Sequence, residues 1–471
     1  MVLRKLFYSF VLVVLIGNFA LAGKDYQINV QIEGVADTTA LLAYHYGNQQ
    51  YVHDTVNVDM QGNFSFSGDT LLDKGMYLIV LPGQKYFEIL VDDNQNFNIR
   101  ADNNNLVGSM KFENSPENEV FYRYMQFLRE KNQDTAPLME KVNDENTPEE
   151  EKQNIQQQLQ EKDREVKAYQ NEIIEENPDG LFSKILLAQQ EPPLPDTPVK
   201  EDGTPDNQMM YQIFKENFWS NIDFSDDRLL RTPMYHAKLD QYFTRVVIQL
   251  PDSIIAEADR MMEKAEAHPE VYKYTLFYIT NTFERSQIMG MDAVFVHMVE
   301  NYYMAGKADW ATDEQVEKLA QRAMVLKPIL LGKKAPDISV FKPDRSKINL
   351  HSVDARFTLL YFWDTECGHC KKQTPKIKEY YDKMKDKGIE VFAVNTEGEA
   401  DREKWIDYIN ENEFTGWINV NDAYNQSGFR DKYDIYATPL LFLLDEDKKI
   451  LAKNINIEQA EQIIEQEMKN K

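Results

Sequence analysis

Between Asp25 and about Met110, apolar and polar residues alternate with a period of two, in the runs YQINVQI, YVHDTVNV, NFSFSG, MYLIVL, YFEILV and FNIRA. Such alternation sends successive side chains to opposite faces of a pleated strand. Glycine, asparagine and aspartate punctuate the runs, notably at Gln61-Gly62-Asn63 and Leu81-Pro82-Gly83. Residues 23–112 therefore predict a small antiparallel β domain of sandwich type. At Glu113-Asn114-Ser115-Pro116-Glu117 the period changes to that of a helix, with Ser115 as N-cap and Pro116 at the first helical position. A second helix starts near Thr147-Pro148-Glu149-Glu150 and stops at Asn177-Pro178-Asp179-Gly180. The proline-rich stretch from Glu191 to Asn207 reads as a loop or lid. Helical spacing then resumes from about Met209 to Met324, with breaks at Pro233, Pro251 and His268-Pro269, giving a helical domain over residues 113–327. Beyond Pro328 short apolar runs (SKINL, RFTLLYFW, EVFAVN, TPLLFLLD, KILAKN) alternate with amphipathic stretches (CKKQTPKIKEYYDKMKDKG, ADREKWIDYINEN). That order implies βαβ units around a mixed sheet over residues 328–471, and a multidomain α+β chain.

Composition adds three constraints. A chain of 471 residues with 42% hydrophobic and 12% aromatic content builds several cores. The first 22 residues carry Arg4 and Lys5, an apolar run from Leu6 to Ile16, and the small-residue pattern Ala20-Leu21-Ala22, which is the layout of a secretory signal peptide cut after Ala22. The apolar run is shorter than the ~20 residues that span a bilayer, and no cysteine stands near the cut to carry a lipid. Export predicts a periplasmic or cell-envelope protein without stable membrane insertion. The formal net charge of −26, which becomes −28 (50 basic against 78 acidic side chains) once residues 1–22 are removed, disfavours nucleic acid and anionic membranes.

The only two cysteines lie in the stretch Trp363-Asp-Thr-Glu-Cys-Gly-His-Cys370. An apolar strand precedes this stretch and a helix follows it, so Cys367 falls at a helix N-terminus. Unpaired backbone N–H groups and the positive end of the helix dipole favour a thiolate there. His369, Lys371 and Lys372 add donors or positive potential; Glu366 and Asp364 oppose them. Cys370, one turn further in, is expected to be the more buried. This division makes Cys367 the attacking thiol and Cys370 the resolving one. A zinc site would need four ligands where the chain offers two cysteines and His369. A purely structural disulfide would close too small a loop to restrain the unfolded chain much.

Taken together with Gly332-Lys-Lys-Ala-Pro-Asp337, Phe362-Trp363, Pro375 and Thr438-Pro439, this motif resembles the TlpA/ResA type of exported thiol-disulfide oxidoreductases, which have a thioredoxin fold. The resemblance implies a cis Thr438-Pro439 bond lying against the cysteines, and a substrate-contacting surface made by Thr438, Pro439 and Trp363. It also implies that Glu366, Gly368 and His369 modulate the couple. Two departures matter: Tyr361 stands where thioredoxins often carry a buried aspartate, and Glu366 stands where they usually have tryptophan. The upstream segments resemble N-terminal domains of exported Bacteroidota thioredoxin-like proteins, and name no substrate.

The expected function is disulfide exchange with envelope protein thiols or disulfides through Cys367 and Cys370, leaning to reduction. The couple serves as its own redox centre, without dissociable cofactor or metal, and a redox partner resets it. Disulfide oxidation or isomerisation, a thiol peroxidase, and a client-binding protein using the fold as a docking platform are the alternatives. Two further features have plain structural readings: Met289, Met291, Met298 and Met304 around His297 as core filling, and His45 and His53 as surface residues flanking a hairpin.

Overall fold

The period-two runs fold as strands because alternation lets each of two sheets bury one face. The computed structural model describes residues 25–422 and 424–470, so the expected signal peptide lies outside the described residues. Two compact units divide at Asp240/Gln241, inside the stretch expected to form one helical domain.

The first unit opens with β1 (Tyr26–Glu33), β2 (Thr38–Tyr46), β3 (Gln49–Val58), β4 (Asn63–Gly68), β5 (Gly75–Leu81), β6 (Lys85–Val91), β7 (Asn96–Asp102) and β8 (Lys111–Glu113). They form two four-stranded sheets, ordered β4-β1-β7-β8 and β3-β2-β5-β6. Pairing is antiparallel with one exception: β1 and β7 run parallel. The strands between them belong mostly to the other sheet, and that long crossover is what a parallel pair requires. Gly62 closes the β3–β4 turn at φ +80°, where a Cβ would come within 2.2 Å of the Ile32 carbonyl oxygen, so only glycine fits.

Helix Pro116–Asn143 begins where the sequence places it, but Ser115 does not cap it through its side chain. The Ser115 hydroxyl instead accepts from Asn118 (2.8 Å). Asn118 is fully buried and pairs with both backbone groups of Leu90 on β6, at 2.8 and 2.7 Å. Tyr122 donates to the Glu88 carbonyl. The helix thereby closes the outer edge of β6, which would otherwise present unpaired backbone groups. Helices Glu149–Glu176 and Leu181–Gln189 follow.

In the second unit, Pro251 and Pro269 occupy first helical positions, so the expected breaks are helix starts. The sheet consists of β9 (Ser339–Phe341), β10 (Lys347–Asn349), β11 (Phe357–Trp363), β12 (Ile389–Asn395), β13 (Ile418–Asn421), β14 (Leu440–Leu444) and β15 (Ile450–Lys453). Its order is β10-β9-β13-β12-β11-β14-β15, with β11, β12 and β13 parallel and the other pairs antiparallel. The central strand β11 is buried along its whole length, which explains its unbroken apolar sequence. Leu359, Tyr361 and Trp363 share one core with Ile377, Tyr381, Trp405 and Ile464. Leu360 and Phe362 share the other with Phe295, Val299, Leu326 and Ile329. Residues from the upstream helices thus cover one face of this sheet, each fully buried large side chain contributing about 1.5–3 kcal/mol of transfer free energy. Ion pairs Lys453–Asp292 and Arg322–Asp434 join the same elements. Lys453 is only 5% exposed and also donates to the Ile329 carbonyl at 2.8 Å.

Candidate active site

The parallel strands β11 and β12 end at the same level, Trp363 opposite Asn395, so the loops after them meet. Crevices at the carboxyl ends of parallel strands are where open α/β sheets build their sites. The first loop is a tight turn: Asp364 Oδ1 accepts from the backbone N–H of Glu366 (2.7 Å) and Cys367 (3.2 Å). Cys367 is then the N-cap of helix Gly368–Met384, and its Sγ accepts from the Cys370 backbone N–H at 3.1 Å. A thiolate here satisfies one of the orphan donors of the first turn.

The two thiols, both free, stand in different surroundings. Cys367 is partly exposed and Cys370 is 1% exposed. Burial is the largest influence on the Cys367 thiol and pushes it up. The hydrogen bonds with Cys370 and Thr438, and from the backbone N–H groups of Cys370 and His369, outweigh that and hold it below the ordinary thiol value. Burial, reinforced by the bond to Cys367, pushes the Cys370 thiol up to about 12. Thr438, 71 positions away in sequence, completes the arrangement: the Cys367 thiol donates to its carbonyl at 3.3 Å, and the Thr438-Pro439 bond is cis.

His369 is exposed and contributes through its backbone. Gly368 has a backbone any residue adopts and open space where a Cβ would stand. Glu366 is exposed and forms an ion pair with Lys404, so the carboxylate opposing the thiolate is largely compensated. The hydrogen bond and charge of Lys404 hold its carboxyl below the usual range.

Several neighbours carry no signal in the sequence. Buried Thr365 donates to Glu397 Oε1 at 2.6 Å, and Asn395 donates to Glu397 Oε2 at 2.7 Å, tying the two loops together. Thr374 donates to the Cys370 carbonyl at 2.8 Å. Its single hydroxyl hydrogen being used, the 2.9 Å contact with Tyr361 must be donated by the phenol. Burial pushes that phenol far up, so Tyr361 is a neutral donor and cannot act as the base an aspartate would be.

Trp363 requires a correction. It was expected to touch substrate, but it is 1% exposed, stacked 5° from parallel on Tyr361 and packed on Tyr408. Odd-numbered β11 residues point into the core beneath helix Gly368–Met384, so Trp363 supports the site from below. The methionine-rich segment is core only in part: Met291 and Met298 are buried, Met289 and Met304 are exposed, and His297 bonds to Asp259 at 2.8 Å; His45, expected at the surface, is buried.

A family model described as thioredoxin-like matches residues 354–450. The thiol-disulfide oxidoreductase ResA of Bacillus thuringiensis (strain Al Hakam) is 30% identical over 145 residues, covering 28% of this chain and 74% of that protein. The chain belongs to the thioredoxin-like thiol-disulfide oxidoreductases. The sporulation thiol-disulfide oxidoreductase A of Bacillus subtilis is 29% identical over 109 residues, covering 23% of this chain and 64% of that one. Among solved structures, a domain of a possible thiol-disulfide isomerase from Cytophaga hutchinsonii is 40% identical, covering 30% of this chain and 95% of that one with a TM-score of 0.29. Models of two domains of unknown function match residues 26–121 and 144–327. The matched range contains Cys367, Cys370 and Thr438-Pro439. The Glu366–Lys404 pair and the Tyr361–Thr374 link describe how this member surrounds its thiols.

Proposed function

We propose that the chain is an exported oxidoreductase that reduces disulfides of cell-envelope proteins, with Cys367 and Cys370 as its catalytic couple and no dissociable cofactor or metal. The observation that carries this reading is the position of Cys367 Sγ: 3.1 Å from the Cys370 backbone N–H, with the Thr438 carbonyl at 3.3 Å. The Cys367 thiolate attacks one sulfur of a client disulfide, the client S–S bond breaks, and the departing client thiolate takes a proton. Cys370 gives up its proton and attacks Cys367 Sγ, releasing the second client thiol. The client gains two electrons and two protons, the chain keeps a Cys367–Cys370 disulfide, and a redox partner in the envelope resets it. Thr438 and Pro439 form the substrate-binding edge, where an extended client segment pairs with exposed backbone. Glu366, Gly368 and His369 set the polarity and access around Cys367. Among the described residues no helix is long and apolar enough to cross a membrane. The acidic composition gives nucleic acid no purchase.

A second reading rests on the same sulfur. A Cys367 thiolate held below the ordinary value stabilises the reduced form, and that favours an oxidase or isomerase. Equilibration of the purified protein in glutathione buffers with thiol trapping separates the two. A potential near about −270 mV supports the reductase, and one near about −120 to −180 mV replaces it with the oxidase or isomerase.

A further inference from the structure

Beside the Thr438-Pro439 turn lies a cleft of about 410 Å³, within the size range of sites that take small ligands or inserted side chains. Ile288 and Met289, from the loop after helix Pro269–Glu284, form one wall; Tyr436, Pro439 and Leu440 form the other. The family's fold supplies only the second wall; the first comes from the segment matched by a domain of unknown function. The mouth exposes apolar surface that nothing in the second unit covers, with Tyr436 86% and Ile288 47% exposed. Arg322 and Lys453 line the cleft too, but each is paired with a carboxylate, Asp434 and Asp292. Glu284 adds a further acid, so the lining offers no unpaired cation and a surplus of negative charge. Pro439 lines the cleft and the carbonyl of the adjoining Thr438 accepts from Cys367, so a lining residue is next in sequence to one that touches the exchanging sulfur.

We propose that this cleft receives an apolar side chain of the client, a few residues from the client's reacting cysteine, and selects clients with aliphatic or aromatic residues there over clients with acidic ones. The inference rests on the exchange reading above and deepens it by naming the substrate class. An extended segment pairing with the Thr438 edge presents alternate side chains to opposite sides, and Pro439, the residue after Thr438, lines the cleft.

The test uses the reduced full-length protein and three oxidised probes: a disulfide peptide with phenylalanine and leucine beside its cysteines, the same peptide with aspartate there, and glutathione disulfide, which carries no aliphatic or aromatic side chain to seat in the cleft. Rates are followed by thiol trapping. The apolar peptide should react about tenfold faster than the acidic one, equivalent to about 1.4 kcal/mol, a partial burial of one aliphatic side chain. In Ile288→Asp and in Tyr436→Ser, whose side chain is too exposed to affect folding, that preference should shrink below about threefold, and the apolar-peptide rate should fall relative to the glutathione rate. Equal rates for both peptides in the unmodified protein would overturn the inference while leaving the exchange reading intact. So would equal slowing of all three probes in the variants, or a change in oligomeric mass in place of a change in preference, which would assign the cleft to a second copy of the chain. No reaction with any probe, glutathione disulfide included, removes the exchange reading and the inference with it.

Discussion

In the reduced protein the two thiols should differ in reactivity by at least one order of magnitude, with Cys367 the faster. A thiol pushed up to about 12, as at Cys370, is ionised to roughly 10⁻⁵ at pH 7, whereas a thiol at the ordinary value of 9.0 is ionised to about 1%. Cys367 lies below the ordinary value, so the thiolate ratio is at least ~10³. A more basic thiolate is intrinsically the better nucleophile, with a Brønsted slope of about 0.4–0.5, which returns some 10- to 50-fold to Cys370. The remaining ~20- to 100-fold favours Cys367, and the near-complete burial of Cys370 adds to it. The assay is timed iodoacetamide alkylation between pH 5 and 10, read by mass spectrometry of the peptides carrying each cysteine, with Cys367→Ser and Cys370→Ser as references. The sign of the pH dependence follows from the direction of each shift. Labelling of Cys367 should climb tenfold per pH unit at low pH and level off before the ordinary thiol value of 9.0, while labelling of Cys370 should still be rising at pH 10. Equal labelling, preferential labelling of Cys370, or a Cys367 rate that still climbs tenfold per unit above pH 9 would refute the reasoning.

Further outcomes follow from the surrounding contacts. Glu366→Gln should move the Cys367 plateau to lower pH and raise the reduction potential, and Lys404→Ala should do the reverse, because the second leaves the carboxylate unpaired beside the thiolate. Asp292→Ala should cost about 3 kcal/mol by stranding buried Lys453, with the double variant Asp292→Leu, Lys453→Met recovering most of it. Urea unfolding followed by tryptophan fluorescence reports this, since Trp310, Trp363, Trp405 and Trp417 all lie in the second unit. Asn118→Ala should destabilise the first unit by about 2 kcal/mol through the orphaned backbone of Leu90, measured by circular dichroism in urea. Thr365→Val should cost about 1.5 kcal/mol by removing a bond to the Glu397 carboxylate, and the same unfolding measurement tests it.

The parts of this chain that can be read from its sequence are those whose cause is local. Cys367 sits at a helix N-terminus because an apolar strand, a four-residue turn and a helical run follow one another, and Asp364, Cys367 and Cys370 settle the turn among themselves. Strand β13 escaped notice because its alternation is apolar with asparagine. Asn419 is nevertheless buried, satisfied by Trp417 Nε1 at 2.9 Å and by the Phe414 carbonyl at 2.6 Å. The parallel β1–β7 pair and the sharing of a core by Phe295, Val299 and β11 are long-range facts with no local trace. Thr438 was reachable only through the family resemblance, and Glu397 not at all, since nothing within 30 residues of it in sequence names Thr365 as its donor. Trp363 was misread for the opposite reason. Its neighbour Phe362 points away from it, and only the register of β11 against β12 and β14 shows which of the two lies under the redox helix.

The same contrast of local with distant causes explains how an acidic protein holds the Cys367 thiol below the ordinary value. A formal charge of −26 would, taken as a whole, oppose any further anion. At physiological ionic strength, however, exposed charges are screened over about 8 Å, so Cys367 responds to its own turn and little else. Within that distance the backbone N–H groups of His369 and Cys370 converge on the sulfur, and the first turn of helix Gly368–Met384 contributes the positive end of its dipole. Glu366 is the acid that could reverse the balance from close by, and Lys404 compensates it. If the proposed exchange with client proteins holds, the acidic surface beyond disfavours acidic segments, in line with a neighbouring cleft whose two cations are already paired.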